Sequence, residues 1–399
     1  MQSPATLSAS EAAARLGVKA QTLYAYASRG LLRRVGDGKR RRYLVEDIER
    51  LRARQHARSG HGPVAAAALS FGEPVLDTAL TAIDERGPLY RGRVAVELAT
   101  AGHGFERVAE LLWTGQLESA APVWQPLPAP APGWGPACTS LEDLMLALPA
   151  LTLAAPTRHA RGREVELELG RRLLRSMTLL LLPAKARRDT GSIAELLARA
   201  APGPREASAQ ALQVALVLLA DHELNASSFA ARIAASTDAH LPACLMAALA
   251  TLSGPRHGGA CDRVEALLDE AEGLPRPESV LEKRTRRGDP LPGFGHPLYP
   301  AGDPRARLLL ETAQRLSERS VSLHKRLEAV ITMAKVMQRQ GLPANVDFGL
   351  VALTRALEMK PGSAALLFAL ARSAGWVAHV LEQRGSEAVL RPRARYLGT

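Results

Sequence analysis

Residues 211–229 read ALQVALVLLADHELNASSF. An apolar run, 211–220, passes straight into Asp221, His222 and Glu223, and small and polar residues follow. A buried helix that ends in adjacent ionisable groups is either a solvated helix end, where charge costs little, or one wall of an active site. The triplet alone does not decide, so the surrounding chain has to. From about residue 72 onward the same grammar recurs: apolar segments of helical period, few alternating segments of strand length, and polar groups at the breaks. The spacing predicts a mainly α protein.

Composition agrees. Of 399 residues, 47% are hydrophobic and only 4% aromatic, so the core is built from Ala, Leu and Val, which favours helices. A chain this long holds two or three domains. Cysteines at 138, 244 and 261 have no metal-ligand spacing, and with no apolar leader in MQSPATLSASEAAARLG a reducing cytoplasm is expected. The apolar stretches LMLALPALTLAAP and ALQVALVLLA are too short to cross a membrane and read as core helices.

The net charge of +11 is uneven. Residues 1–60 hold thirteen Lys or Arg against five Asp or Glu, which leaves about +3 for the rest and points to a polyanionic partner for the first module. In that module Ser8 or Ser10 can cap a helix ended by Gly17, and a second helix runs from about Lys19 to Ser28, burying Leu23 and Tyr26. DGKRRRY reads as a basic wing, and Val45 to Arg54 as a third helix. TLYAYASRGLL and the wing before YLVEDIERL resemble the MerR-like winged helix-turn-helix domain. That resemblance places Gln21, Thr22 and Tyr24 toward bases or phosphates, and Arg29, Lys39, Arg40, Arg41 and Arg42 along the backbone of double-stranded DNA. The stretch ARQHARSGHGPVAAAALSFG then reads as a linker, and PVWQPLPAPAPGWGP as a Pro-rich surface connector.

Three further breaks carry chemistry. GPRHGGA sets His257 beside adjacent glycines at a helix start. LPGFGHPLYPAGDPRARLLLETAQ sets His296 in a Gly- and Pro-rich loop with Arg305 at the next helix. GLPANVDFGLVALTRAL sets Asp347 among apolar residues, with Asn345 able to cap. Arg372 falls inside an apolar helix, and Arg391 lies near the end. Burying such groups is costly unless they pair or hold a ligand. His222-Glu223 lacks the second histidine of a zinc-protease helix, and no metal is expected. Neither GxGxxG, GxxxxGK[ST] nor GxSxG is present. Acid–base chemistry on a small multi-anionic substrate, clamped by arginines, is the reading that remains.

Residues from about 72 to 399, four fifths of the chain, resemble the citrate synthase family through YRG, DHELNASSFAARIAAST, GPRHGGA, PGFGHPLYPAGDPRA, NVDFGLVAL and RPRARY in that order. The resemblance implies condensation of acetyl-CoA with oxaloacetate and hydrolysis to citrate and CoA, with 2-methylcitrate from propionyl-CoA as one alternative and a ligand-sensing DNA-binding regulator as another. It implies His257 as acid, Asp347 as base and His296 on the ketone. His222, Arg305, Arg372 and Arg391 would hold oxaloacetate, Arg391 coming from a neighbouring subunit and so requiring at least a homodimer. Arg284, Arg286 and Arg287 are candidate CoA contacts, and no permanently bound cofactor is implied. Arg256 stands where a hydrophobic residue is commoner in this family. The expected domains are 1–58 (winged helix-turn-helix), 59–71 (linker), 72–262 (large helical domain), 263–365 (small mobile domain) and 366–399 (return to the large domain).

Overall fold

The computed structural model describes residues 6–28, 32–35, 42–45, 47–48, 76–119, 123–128, 137–153, 155, 162–187 and 190–392. They fall into two compact units, Met1–Asp77 and Thr78–Thr399.

The first unit comprises β1 (Thr6–Ser8), α1 (Ala9–Leu16), α2 (Ala20–Ser28), β2 (Arg34–Val35) and β3 (Arg42–Leu44), with an antiparallel sheet ordered β1-β3-β2. Ser8 starts α1 through a capping box with Glu11, and Gly17 ends it in the left-handed conformation. Ala12, Leu16, Leu23, Leu32, Tyr43 and Ile48 form its core. Asp47, in the helical segment after β3, takes Arg33 in a two-pronged contact of 2.9 Å on each oxygen. Arg29, Lys39, Arg40 and Arg41 lie outside the described residues, as does the linker 59–71.

The second unit opens with strands that the sequence reading missed: β4 (Thr81–Asp84), β5 (Gly87–Tyr90) and β6 (Arg93–Val94), an antiparallel meander. Each has four residues or fewer, too short for alternation to register. Then follow α3 (Ala95–Thr100), α4 (Phe105–Thr114), α5 (Leu141–Leu153), α6 (Arg163–Leu180), α7 (Ile193–Leu197), α8 (Arg205–Leu219), α9 (Ala226–Ser236) and α10 (Leu241–Leu252). The run closes with α11 (Ala260–Ala271), α12 (Ser279–Arg287), α13 (Pro304–Ser317), α14 (Val321–Arg339), α15 (Val346–Ala356) and α16 (Ser363–Gln383). One continuous core runs from Leu80 to Leu381.

Two expectations need correction. α16 has 21 residues and is apolar enough to cross a bilayer by length and composition, longer than either stretch singled out beforehand. It is buried throughout and packs against α4, α6, α8, α9 and α10, so it is the central core helix. The Pro-rich connector is not all surface either. Trp124 and Leu127 are buried; Trp124 stacks on Trp113 at 5.2 Å and donates to Glu110 Oε1 at 3.1 Å. A large aromatic side chain gains more from that slot than the prolines around it gain from solvent.

Candidate active site

The apolar run of 211–220 does end as a wall. α8 stops at Leu219, and Asp221 and His222 turn inward, both buried. The corner is fastened by Tyr90 of the YRG segment. Its hydroxyl lies 3.0 Å from the Val217 carbonyl and 3.1 Å from those of Leu218 and Asp221, and accepts the Asp221 N–H at 3.3 Å. Glu223 adopts φ 55°, unusual for a residue with a side chain, so the turn that aims His222 is held against local preference. Asp221 lies 3.3 Å from His379 Nε2 and against Gly375 of α16, where a methyl would collide with its carboxylate. Only glycine fits there.

His222 Nε2 hydrogen-bonds the Tyr299 hydroxyl at 2.9 Å, and its ring meets His296 edge-on at 5.5 Å. Burial first, then Arg305 and Arg372, hold the His222 imidazole well below its ordinary pKa, and burial with Arg305 lowers His296 as well. Both rings are therefore neutral at pH 7.

Arg305 and Arg372 supply fixed positive charge in the core, at 1% and 2% exposure. Arg305 Nε and Nη2 close on Asp303 at 3.0 and 2.8 Å, and the guanidinium sits 5.4 Å from the Tyr299 ring centre. Burial opposes its charge, but the Asp303 pair outweighs it and raises the pKa. Asp303 also caps α13 and accepts the Val346 N–H at 3.2 Å, tying the start of α13 to that of α15. Arg372 donates Nε to the Leu219 carbonyl at 2.9 Å and stacks on Phe368 at 4.8 Å. Burial lowers it to about 10 against the pull of Asp221, which leaves it a cation at pH 7.

His257 occupies the turn between α10 and α11, with Nε2 2.8 Å from Ser227 Oγ. Ser227 accepts the Trp376 indole N–H at 3.1 Å and lies 2.7 Å from Asn225 Oδ1. Its hydroxyl proton goes to Asn225 Oδ1, which only accepts, so His257 Nε2 donates to Ser227. Burial, then Arg372, lowers His257 to about 4, so it acts neutral.

Asp347 stands in the first turn of α15, where Asn345 Oδ1 accepts its N–H at 3.1 Å. Burial raises its carboxyl to about 6, although Cys261 and Arg305 pull the other way. A carboxylate poised there is a competent base near neutrality. Contacts link these groups: Arg372 stacks on Phe368, whose ring meets His257 edge-on at 6.4 Å, while His222, His296 and Arg305 meet around Tyr299.

Other expected residues do not join it. Arg391 is exposed and makes no hydrogen bond or ion pair with the described residues of the cluster. Arg284 holds Glu270 at 2.5 Å and Arg287 holds Asp289 at 2.7 Å, while Arg286 is exposed, so a CoA phosphate would have to displace carboxylates from two of the three. In the first unit Gln21 and Tyr24 are exposed and Thr22 is half-buried. Arg42 donates to Thr6 Oγ1 and to its carbonyl, both at 2.8 Å.

Residues 141–393 match the citrate synthase C-terminal domain. The chain belongs to the citrate synthase family. Residues 6–56 match a helix-turn-helix domain. Citrate synthase 2 of Bacillus subtilis is 36% identical over 225 residues, 55% of this chain and 59% of that protein. The citrate synthase of Haloferax volcanii is 33% identical and covers 65% of this chain and 72% of its own. A 2-methylcitrate synthase of Shewanella oneidensis is 31% identical over about half of each chain. The Thermotoga maritima citrate synthase structure superposes with a TM-score of 0.68 at 26% identity, covering 82% of this chain and 94% of that one. A Thermoplasma acidophilum citrate synthase, solved with carboxymethyl coenzyme A and oxaloacetate, gives 0.73 at 24% identity, over 82% and 95%. Membership makes this chain an enzyme of the citrate synthase family.

Sequence reasoning missed the supporting side chains Ser227, Tyr299, Asp303, Cys261 and Trp376. Ser227, Tyr299 and Asp303 lie inside the quoted motifs but carry no mark of their partners. Cys261 meets Asp347 across 86 positions, beyond the reach of any local pattern.

Proposed function

We propose that this chain condenses the α-carbon of an acyl-CoA with oxaloacetate and hydrolyses the resulting thioester, releasing CoA. Asp347 takes a proton from the α-carbon while His257, neutral, supplies a hydrogen to the thioester oxygen. The product is an enol hydrogen-bonded to His257, and its proton returns to His257 as the carbon attacks and the thioester carbonyl re-forms. The enol carbon attacks the ketone carbon of oxaloacetate. His296 hydrogen-bonds the ketone oxygen as charge develops on it, and His222, Arg305 and Arg372 hold the dicarboxylate. Water then cleaves the citryl thioester into the tricarboxylate and CoA. We assign acetyl-CoA as the acyl donor, with propionyl-CoA as the alternative, since relatives are named citrate synthase and 2-methylcitrate synthase.

One observation carries this reading: a base that burial raises to about 6 and a histidine lowered to about 4 stand with buried Arg372, which donates Nε to the Leu219 carbonyl and stacks on Phe368 beside the His257 ring. Burial inverts their ordinary order, leaving at pH 7 a carboxylate to accept a proton and a neutral imidazole to donate a hydrogen bond. Water must stay out until condensation is complete, so residues 263–365 close over bound oxaloacetate as a mobile domain. A second copy completes the site through Arg391. The first unit binds duplex DNA through Gln21, Thr22, Tyr24 and Arg42, together with Arg29, Lys39, Arg40 and Arg41, and the chain works in the cytoplasm.

Release of free thiol from acetyl- or propionyl-CoA with oxaloacetate tests the reaction and ranks the donors. No release with either donor, together with duplex binding that responds to oxaloacetate or acyl-CoA, converts the protein into the sensing regulator.

A further inference from the structure

Three cysteines are buried, and their surroundings differ. Cys244 donates its thiol to the Ala239 carbonyl at 3.4 Å, a contact within its own stretch of chain. Cys261 leaves its own helix: from the second position of α11 its Sγ lies 3.5 Å from Asp347 Oδ1, at the second position of α15. Two helix starts, 86 residues apart in sequence, thus meet at a thiol and a carboxylate. Cys261 is fully buried, whereas Asp347 is only half-buried. Burial, reinforced by the Asp347 charge, raises the thiol well above its ordinary value, so it stays protonated and donates.

We propose that Cys261 is a positioning residue for Asp347, its S–H holding Oδ1 so that Oδ2 faces the carbon to be deprotonated. This rests on the reading of Asp347 as the base. The donor's weakness is the point. A thiol gives a carboxylate less stabilisation than an amide or hydroxyl does. A strong donor would favour the charged form and draw the base down toward the ordinary carboxylate range. The Asp347 backbone N–H is taken by Asn345, so orientation of the carboxylate comes from elsewhere, and Cys261 provides it.

The test uses the full chain with acetyl-CoA and oxaloacetate, following thiol release from pH 5 to 9 for Cys261→Ala, Cys261→Ser and Asp347→Asn, with thermal unfolding in parallel. For Cys261→Ala we expect kcat to fall about five-fold, as one weak hydrogen bond is lost. KM for both substrates should hold, and the acid limb of kcat should move to higher pH. Ser, a stronger donor, should restore part of the rate and carry the limb to lower pH than in the unaltered chain. Should Ala unfold the chain, Cys261→Val keeps volume without a donor and answers the same question. An unchanged limb and kcat in the non-donor variant overturns the proposal. So does a rate loss with the limb in place and no recovery by Ser, which marks packing alone. Wild-type turnover by Asp347→Asn instead removes the base reading, whatever the cysteine variants do.

Discussion

Both units carry arginines, and the two sets do opposite things. In the first unit Arg33 is 59% exposed in its pair with Asp47, and exposed Arg42 reaches back to Thr6. In the second, Arg305 and Arg372 are sealed in the core, one against Asp303 and the other donating Nε to a carbonyl. Solvent screens Arg42, which leaves its charge free to act at long range, while Arg33 spends its charge on buried Asp47. Nothing screens the second kind, so each charge there demands a partner and a ligand can be that partner. Net charge therefore describes the first region, while position describes the second.

Substitutions sharpen the contrast in order of size. Asp303→Asn breaks a buried ion pair and weakens the tie between α13 and α15. Chemical denaturation should show a loss of about 3–5 kcal/mol. On the proposed reading Arg372→Leu leaves an oxaloacetate carboxylate without its cation, and the oxaloacetate KM should rise by the equivalent of about 2–5 kcal/mol. Gly375→Ala forces a methyl onto the Asp221 carboxylate, costing about 1–3 kcal/mol in unfolding experiments. The pH profile follows from Asp347: with its carboxyl at about 6, kcat should be flat above neutrality and fall below about 6 as the base takes up a proton. Arg42→Ala should shift stability by no more than about 0.5 kcal/mol, while weakening duplex binding and flattening its salt dependence. If Arg42→Ala destabilised as much as Asp303→Asn, the division between screened and unscreened charge would be wrong.

What the sequence disclosed follows the same line. Helices with a clear apolar face were legible, as was the start of α15, because Asn345 and Asp347 announce a cap. His222, His257, His296, Arg305 and Arg372 stood out as ionisable groups in apolar surroundings, and the fold gathers all of them. The short meander 81–94 was invisible because strands of two to four residues have no period to detect. Trp124 was lost in a proline-rich stretch whose composition argued for solvent. The second layer of the site was least legible of all. Ser227 under His257, Tyr299 against His222 and Cys261 beside Asp347 are contacts made only by the folded chain. Arg391 is exposed and in no hydrogen bond with the cluster among the described residues, and the proposal that a second copy brings it to the site is still to be tested.

The central claim is that Asp347 and His257 together make an enol from the acyl thioester. Thiol release by Asp347→Asn, measured with saturating oxaloacetate and compared with the unaltered chain, addresses it directly. The account predicts a loss of about 10²–10⁴-fold in kcat with folding intact. Turnover close to that of the unaltered chain would contradict it.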